Sequence, residues 1–258
     1  MATEEIEEKE VRECIQLLGL SVQKLEDRSK KTPDFLVKCD RHSYLVELKT
    51  KFDDQKVQEA FEKALSSGEI VQEIYSTGRE KKISKVIWSA CKQLVISEIN
   101  TDFKLIWLHA KGHHPDFQMY DFESTLYGHE VIVDWGQKDG FSGFCYHYGH
   151  SDFYNYRDVL DGAVVSTLND MKLCLNICSP RYSLFRKSRF VEVFGEGVLD
   201  PIELERTGDA LIVDSDVDRN NESDVIKYLI DKYNLKKAMK MPMQQVSASI
   251  MLPDKGKI

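Results

Sequence analysis

Two short apolar runs separated by a few polar residues constrain this chain more than any other segment. Residues 34–40 read DFLVKCD and residues 44–50 read YLVELKT. Both are strand-length and rich in Phe, Val, Tyr and Leu, and Asp40, Arg41, His42 and Ser43 between them have hairpin-turn chemistry. Side chains alternate along a strand. Tyr44, Val46 and Leu48 therefore point one way, and Leu45, Glu47 and Lys49 the other. In the first run Phe35, Val37 and Cys39 share the apolar side, with Asp34 and Lys38 opposite. A tight turn centred on Arg41 and His42 places Asp34 across from Lys49 and diagonal to Glu47, about 7–8 Å away at the backbone.

The elements around this ribbon indicate an α/β layer structure. Residues 3–19 form an amphipathic helix with an apolar stripe of Val11, Cys14, Ile15, Leu17 and Leu18, stopped at Gly19. A strand is read over 22–27, a polar helix over 54–67, and a stronger helix over 82–98 with Ile83, Val86, Ile87, Ala90 and Leu94 at core spacing. Strands follow at 103–110 and 129–135. Further on, strands are expected at 172–178, 189–194, 210–214 and 245–252 and helices near 153–168 and 222–234, with a polar loop over 215–222. There is no repeat, low-complexity tract or Gly/Pro-rich linker. Residues 136–258 are expected to form an α/β region that either stands apart from residues 1–135 or elaborates the same sheet.

A composition of 42% hydrophobic and 30% charged residues fits an ordinary globular chain. No run approaches the ~20 apolar residues that span a bilayer, and the acidic start MATEEIEEKE lacks the features of a signal peptide. A cytoplasmic protein without a membrane partner is expected. The six cysteines are scattered without a CxxC pair, so reduced, mostly buried thiols are expected rather than zinc. A net charge of −8 disfavours broad non-specific nucleic-acid binding but permits a local basic surface. Three cationic clusters qualify, each equally readable as a solvated face: Arg79, Lys81, Lys82 and Lys85; Arg181, Arg186, Lys187 and Arg189; and Lys236, Lys237 and Lys240.

The polar face of the ribbon carries the chemistry. Two carboxylates reaching inward from one sheet face can share a divalent ion, and hard oxygen donors select Mg²⁺ or Mn²⁺. Such an ion polarises a phosphoryl group and acidifies a bound water. A neighbouring lysine can orient that water or offset charge developing on phosphorus.

Pro33-Asp34, twelve intervening residues, and Glu47-Leu48-Lys49 closing an apolar strand resemble the PD-(D/E)xK nuclease superfamily, over roughly residues 1–110. The resemblance implies a restriction-endonuclease-like fold, a mixed sheet flanked by helices in the order α-β-β-β-α-β, here with a C-terminal α/β elaboration. It implies Mg²⁺-dependent cleavage of DNA, less often RNA. Asp34 and Glu47 would bind the metal with the Leu48 carbonyl, and Lys49 would be the catalytic lysine. Gln93, at the border of the apolar face of the 82–98 helix, matches a position that many members fill with Gln or Lys. Some members add an acid from the first helix, for which Glu10 or Glu13 could serve. The expected partner is nucleic acid, DNA first, with a homodimer compatible. The alternatives are a non-catalytic binding module on the same fold and an RNA-cleaving enzyme.

The D/E-x-K triplet alone carries no weight. It recurs at Glu7, Asp54, Glu80, Asp102 and Asp170, but only Glu47 combines an apolar strand, the required facing and a preceding Pro-Asp strand. Pro115-Asp116 repeats the dipeptide with no such strand after it. His113 and His114 are adjacent, and His147 and His150 have an i, i+3 spacing that suits a helix face, but their surroundings FCYHYGHSDF read as strand and loop, so metal binding is not expected there; the aromatic run 144–156 with Arg157 reads as packing between layers rather than base stacking. Phosphate-binding glycine loops and a nucleophile elbow are absent.

Overall fold

The computed structural model describes residues 2–25, 32–39, 41–52, 55–68, 71–76, 78–112, 114–136, 140–241 and 245–250. The chain opens with helix α1 (Ala2–Leu17), strands β1 (Ser21–Lys24), β2 (Phe35–Cys39) and β3 (His42–Lys51), helix α2 (Gln55–Ser66), strand β4 (Val71–Ser76), helix α3 (Lys81–Ile96) and strand β5 (Phe103–Ala110). Helix α4 (Pro115–Tyr127), strands β6 (Glu130–Asp134) and β7 (Phe141–Tyr146), the short helix α5 (Asp152–Asn155), and strands β8 (Gly162–Ser166) and β9 (Met171–Leu175) follow. Short helices α6 (Tyr182–Phe185) and α7 (Arg189–Phe194), strand β10 (Val198–Leu199), helix α8 (Pro201–Thr207), strand β11 (Ala210–Ile212), helix α9 (Glu222–Tyr233), and strands β12 (Ala238–Lys240) and β13 (Gln245–Ile250) complete it.

The result is an α/β structure with mixed sheets flanked by helices. A seven-stranded sheet runs β1-β2-β3-β5-β8-β9-β10, a four-stranded sheet runs β11-β7-β6-β12, and β4 pairs with β13. In the large sheet β1, β2 and β3 form an antiparallel meander, and β5 lies parallel to β3 and to β8. Strands β8 to β10, all beyond residue 136, thus hydrogen-bond into the sheet begun by the N-terminal half.

Both faces of the large sheet are covered, so its central strands are apolar on both sides. On one face Phe35, Val37, Tyr44, Val46 and Trp107 pack with Val11 and Ile15 of α1 and with Phe185 and Phe190. On the other, Leu45, Ile106, Leu108 and Val165 pack with Ile83, Ile87, Ala90 and Leu94 of α3 and Met119, Phe122 and Leu126 of α4. A third core joins β6, β7 and β11 to Val225 and Leu229 of α9.

Several expectations need correction. In α1 the buried stripe is Val11, Ile15 and the partly buried Leu18; Leu17 is 87% exposed and Cys14 is exposed. In α3 the core positions are Ile83, Ile87, Ala90, Cys91 and Leu94, and Val86 is 38% exposed. Residues 153–168 do not form one helix. The short α5 is followed by β8, whose five residues are all buried, because a strand buried on both faces reads as the same continuous apolar run as a buried helix. Residues 189–194 form helix α7 instead of a strand. Phe190, Val191 and Phe194 are buried at helical spacing, and packing on the sheet overrides their strand propensity. The strand read at 129–135 is β6, which belongs to the four-stranded sheet. Helix α4 precedes it, with Pro115 in its first turn and Gly128 closing it at φ 58°. A Cβ on Gly128 would lie 2.6 Å from the His150 carbonyl oxygen. The strand β4 has no counterpart in the sequence reading, and residues 26–27 and 251–252 of two expected strands lie outside the described residues.

Candidate functional site

The β2–β3 ribbon forms with the predicted facing but a different register. Phe35 pairs with Val46 and Cys39 with His42, leaving two residues between the last pair instead of a turn centred on Arg41 and His42. Continued by one step, this register sets Asp34 across from Glu47, not Lys49. The pairing is displaced by two residues, an even number, so every side chain keeps its face; an odd displacement would have turned Glu47 and Lys49 onto the Tyr44 side.

Asp34 stands just ahead of β2. Its backbone carbonyl accepts from the Leu25 N–H at 2.9 Å, tying it to the end of β1. Its carboxylate Oδ2 accepts from the Leu48 N–H at 2.6 Å. Leu48 therefore meets the site through its backbone, while its side chain packs on the opposite face of the sheet. Glu47 is fully buried, because the polar face of the ribbon lies under α3 rather than in solvent. Lys49 Nζ donates to Glu47 Oε1 and, at 2.9 Å, to Gln93 Oε1. Gln93 is half-buried at the edge of the apolar face of α3. Asp34, Glu47, Lys49 and Gln93, chosen from separate stretches of sequence, thus converge on one spot.

The electrostatics there are uncompensated. Burial pushes the Glu47 carboxyl up to about 8, the neighbouring Asp34 charge adds to the rise, and Lys49 only partly offsets it. Asp34 is also raised, first by burial, against the lowering effect of the Leu48 N–H and of Lys49. Glu47 Oε2 is buried without a hydrogen-bond partner among the described residues. Two adjacent carboxylates cannot bond each other while both are ionised, so within the pair Oε2 gains a partner only when one of the two takes up a proton and donates it to the other. A divalent cation satisfies the same pair without that proton.

The donor set suits a hard ion. Among the described residues no group of three or more His, Cys, Asp or Glu side chains converges. Two carboxylates leave the other coordination positions to carbonyl, water and phosphate oxygens, which is the habit of Mg²⁺ rather than of zinc or a caged Ca²⁺.

The α1 acids named above, Glu10 and Glu13, have partners other than Asp34 and Glu47 among the described residues. Glu10 pairs with Lys111 at 2.7 Å, and Glu13 faces solvent beside Lys9. The α1 residue whose charge bears on Asp34 is Glu8, which also pairs with Lys24. On a helical wheel Glu8 flanks the stripe of Val11, Ile15 and Leu18. Adding Cys14 and Leu17 to that stripe turns it toward Glu10 and away from Glu8.

The remaining candidates do not gather. His147 is buried against the Tyr127 ring with Cys178 Sγ 3.8 Å from Nε2, while His150 bonds Asn220. His114 precedes α4, and His113 lies outside the described residues. All six cysteines are free, with Cys91, Cys145 and Cys174 buried. No helix among the described residues is long and apolar enough to cross a membrane. Compared with family models, curated proteins and solved structures, the chain matches none.

Proposed function

We propose that this chain is a Mg²⁺-dependent nuclease of the PD-(D/E)xK kind that hydrolyses phosphodiester bonds in DNA. The observation that carries the reading is the convergence of Asp34, Glu47, Lys49 and Gln93 around an uncompensated buried acid pair. Strongly perturbed acids with specific charged neighbours are a signature of functional sites. The element order supports the fold assignment: α1, the antiparallel β1-β2-β3, α3, then β5 parallel to β3 gives α-β-β-β-α-β, with α2 and β4 inserted.

Asp34 and Glu47 would hold the ion with the Leu48 carbonyl, and Mn²⁺ would substitute. When bound, the ion supplies charge neutralisation of the phosphate and a water acidic enough to attack it. Lys49, held by Glu47 and Gln93, would donate to a phosphoryl oxygen or to the attacking water as charge develops there. Gln93 acts through Lys49, fixing its ammonium group, and is a positioning residue. The Leu48 N–H holds the Asp34 carboxylate in place.

The test is cleavage of supercoiled plasmid by the purified chain in Mg²⁺ or Mn²⁺, with single-stranded RNA in parallel. Plasmid cleavage that disappears in Asp34→Asn and Glu47→Gln is the expected result. Intact plasmid and RNA under all conditions, or undiminished activity in Glu47→Gln, would overturn the reading. Cleavage of RNA alone would reassign the substrate.

A further inference from the structure

The geometry points to the outer face of α3 as the track on which a nucleic-acid phosphate backbone lies as it approaches Lys49 and Gln93. The inference rests on the proposed nuclease reading for its substrate, but its own evidence comes from another part of the molecule. Helix α3 reads KKISKVIWSACKQLVI. It contains four lysines and no acid, in a chain whose net charge is −8. Lys81, Lys82, Lys85 and Lys92 are all exposed. No carboxylate lies within ion-pair distance of any of them among the described residues, although other surface cations, such as Lys9, Arg189 and Arg206, do have such partners.

Placement adds to the charge. Lys81, Lys82 and Lys85 occupy the first turns of the helix, where cations oppose the macrodipole and acids are favoured. The acid that could have offset them, Glu80, makes no cap with its side chain and bonds Lys51 at 2.8 Å instead. The next cation upstream, Arg79, is spent on the buried Asp152. Lys81, Lys82 and Lys85 thus reinforce the positive end of the helix instead of neutralising it, an arrangement that favours phosphate.

The rows of the helix lead to the site. Lys82, Val86, Ser89 and Gln93 follow one another at offsets of four, three and four, so they form one stripe. Lys81, Lys85, Trp88 and Lys92 form the adjacent stripe with the same spacing. At a rise of roughly 1.5 Å per residue, Lys82 lies roughly 16 Å along the axis from Gln93. Trp88 is half exposed, and Lys92 Nζ sits 3.4 Å from its ring centroid. A backbone following these two rows ends beside the residue that holds Lys49.

The experiment compares the wild-type chain with a quadruple variant, Lys81→Gln, Lys82→Gln, Lys85→Gln and Lys92→Gln, which keeps good helix formers at exposed positions. Binding of a fluorescein-labelled DNA duplex in Ca²⁺ is followed by anisotropy over a range of salt concentrations. Mn²⁺ binding by calorimetry and thermal melting are measured on both proteins. The expected result is at least about tenfold weaker DNA binding, with a slope of log affinity against log salt shallower by up to about 3.6, at about 0.9 per lost phosphate contact. Mn²⁺ affinity should not change, and the melting temperature should stay the same or rise slightly as charges opposing the macrodipole are removed. Equal DNA affinity and salt slope in the two proteins would overturn the track and leave the nuclease site standing. A wild-type chain that binds Mn²⁺ but no DNA or RNA would overturn both. Lysine-dependent binding of phosphatidylserine vesicles without DNA binding would overturn the track in favour of a membrane surface.

Discussion

Glu47 on β3 and Asp161 at the foot of β8 are both fully buried carboxylates in the same sheet, and they are treated in opposite ways. Asp161 is saturated. Its Oδ1 accepts from Ser179 Oγ and Arg181 Nε, each at 2.7 Å, and its Oδ2 accepts from the Lys104 N–H at 2.9 Å. Those bonds pull against the rise that burial imposes on its pKa. Glu47 has one lysine on Oε1, no partner for Oε2 among the described residues, and a second carboxylate beside it. Burial alone therefore does not set Glu47 apart from Asp161; the unbalanced charge around it does. The Asp161 cluster ties β5, β8 and the turn after β9 together, whereas the Glu47 cluster is held folded at some cost and is relieved by a proton or a cation.

The comparison can be broken most sharply at Lys49. If Lys49 acts on developing charge, Lys49→Ala should slow plasmid cleavage by about 10²–10³-fold while Mn²⁺ binding by calorimetry persists. If the cluster is merely structural like that of Asp161, the variant melts lower and its chemistry is unaltered. The next largest effect is on stability. Asp161→Ala strands Arg181 and the Lys104 N–H, and should cost about 3–5 kcal/mol in denaturant unfolding. Glu47→Gln removes a repulsion and should leave stability unchanged or raised. A similar loss in both variants would erase the distinction.

Titration sharpens the contrast further. Folded Glu47 releases its proton near 8, against an ordinary value of 4.5. Between these values the folded chain binds more protons than the unfolded one, so stability in EDTA should fall as pH rises from about 5 to 8. Mg²⁺ affinity should rise over the same window, because the ion must displace that proton. Glu47→Gln should flatten the melting-temperature change seen in EDTA; an unaltered pH profile in that variant would assign the titration elsewhere. The smallest effect belongs to Gln93. Gln93→Ala should lower the cleavage rate by about tenfold with Mn²⁺ affinity retained, since Gln93 touches Lys49 and not the carboxylates. Loss of metal binding in Gln93→Ala would contradict that division of roles.

Much of the site was legible because its cues are local. The alternation in YLVELKT puts Glu47 and Lys49 on one face whatever they pack against, and the spacing of Ile83, Ile87, Ala90 and Leu94 sets Gln93 at the border of α3. Elements with mixed cues were not legible. Residues 162–166, buried on both faces, carry no periodicity to separate strand from helix. Residues 189–194 have strand-forming residues whose helical conformation follows from packing Phe190 and Phe194 into the core beside Phe185.

The sequence by itself determined which side chains share a face, roughly where α1, α3 and α9 run, and that acids and a lysine meet at one end of a strand pair. These follow from the geometry of one residue and its immediate neighbours. Only the tertiary structure decided the register that sets Asp34 against Glu47, the covering of that pair by α3, the position of Glu8 near Asp34, and the joining of β8 to β5. Each of these depends on contacts between residues far apart in the chain. A shift of two residues or a small rotation of a helix leaves every local pattern intact, so the decision falls to whatever packing the whole core permits.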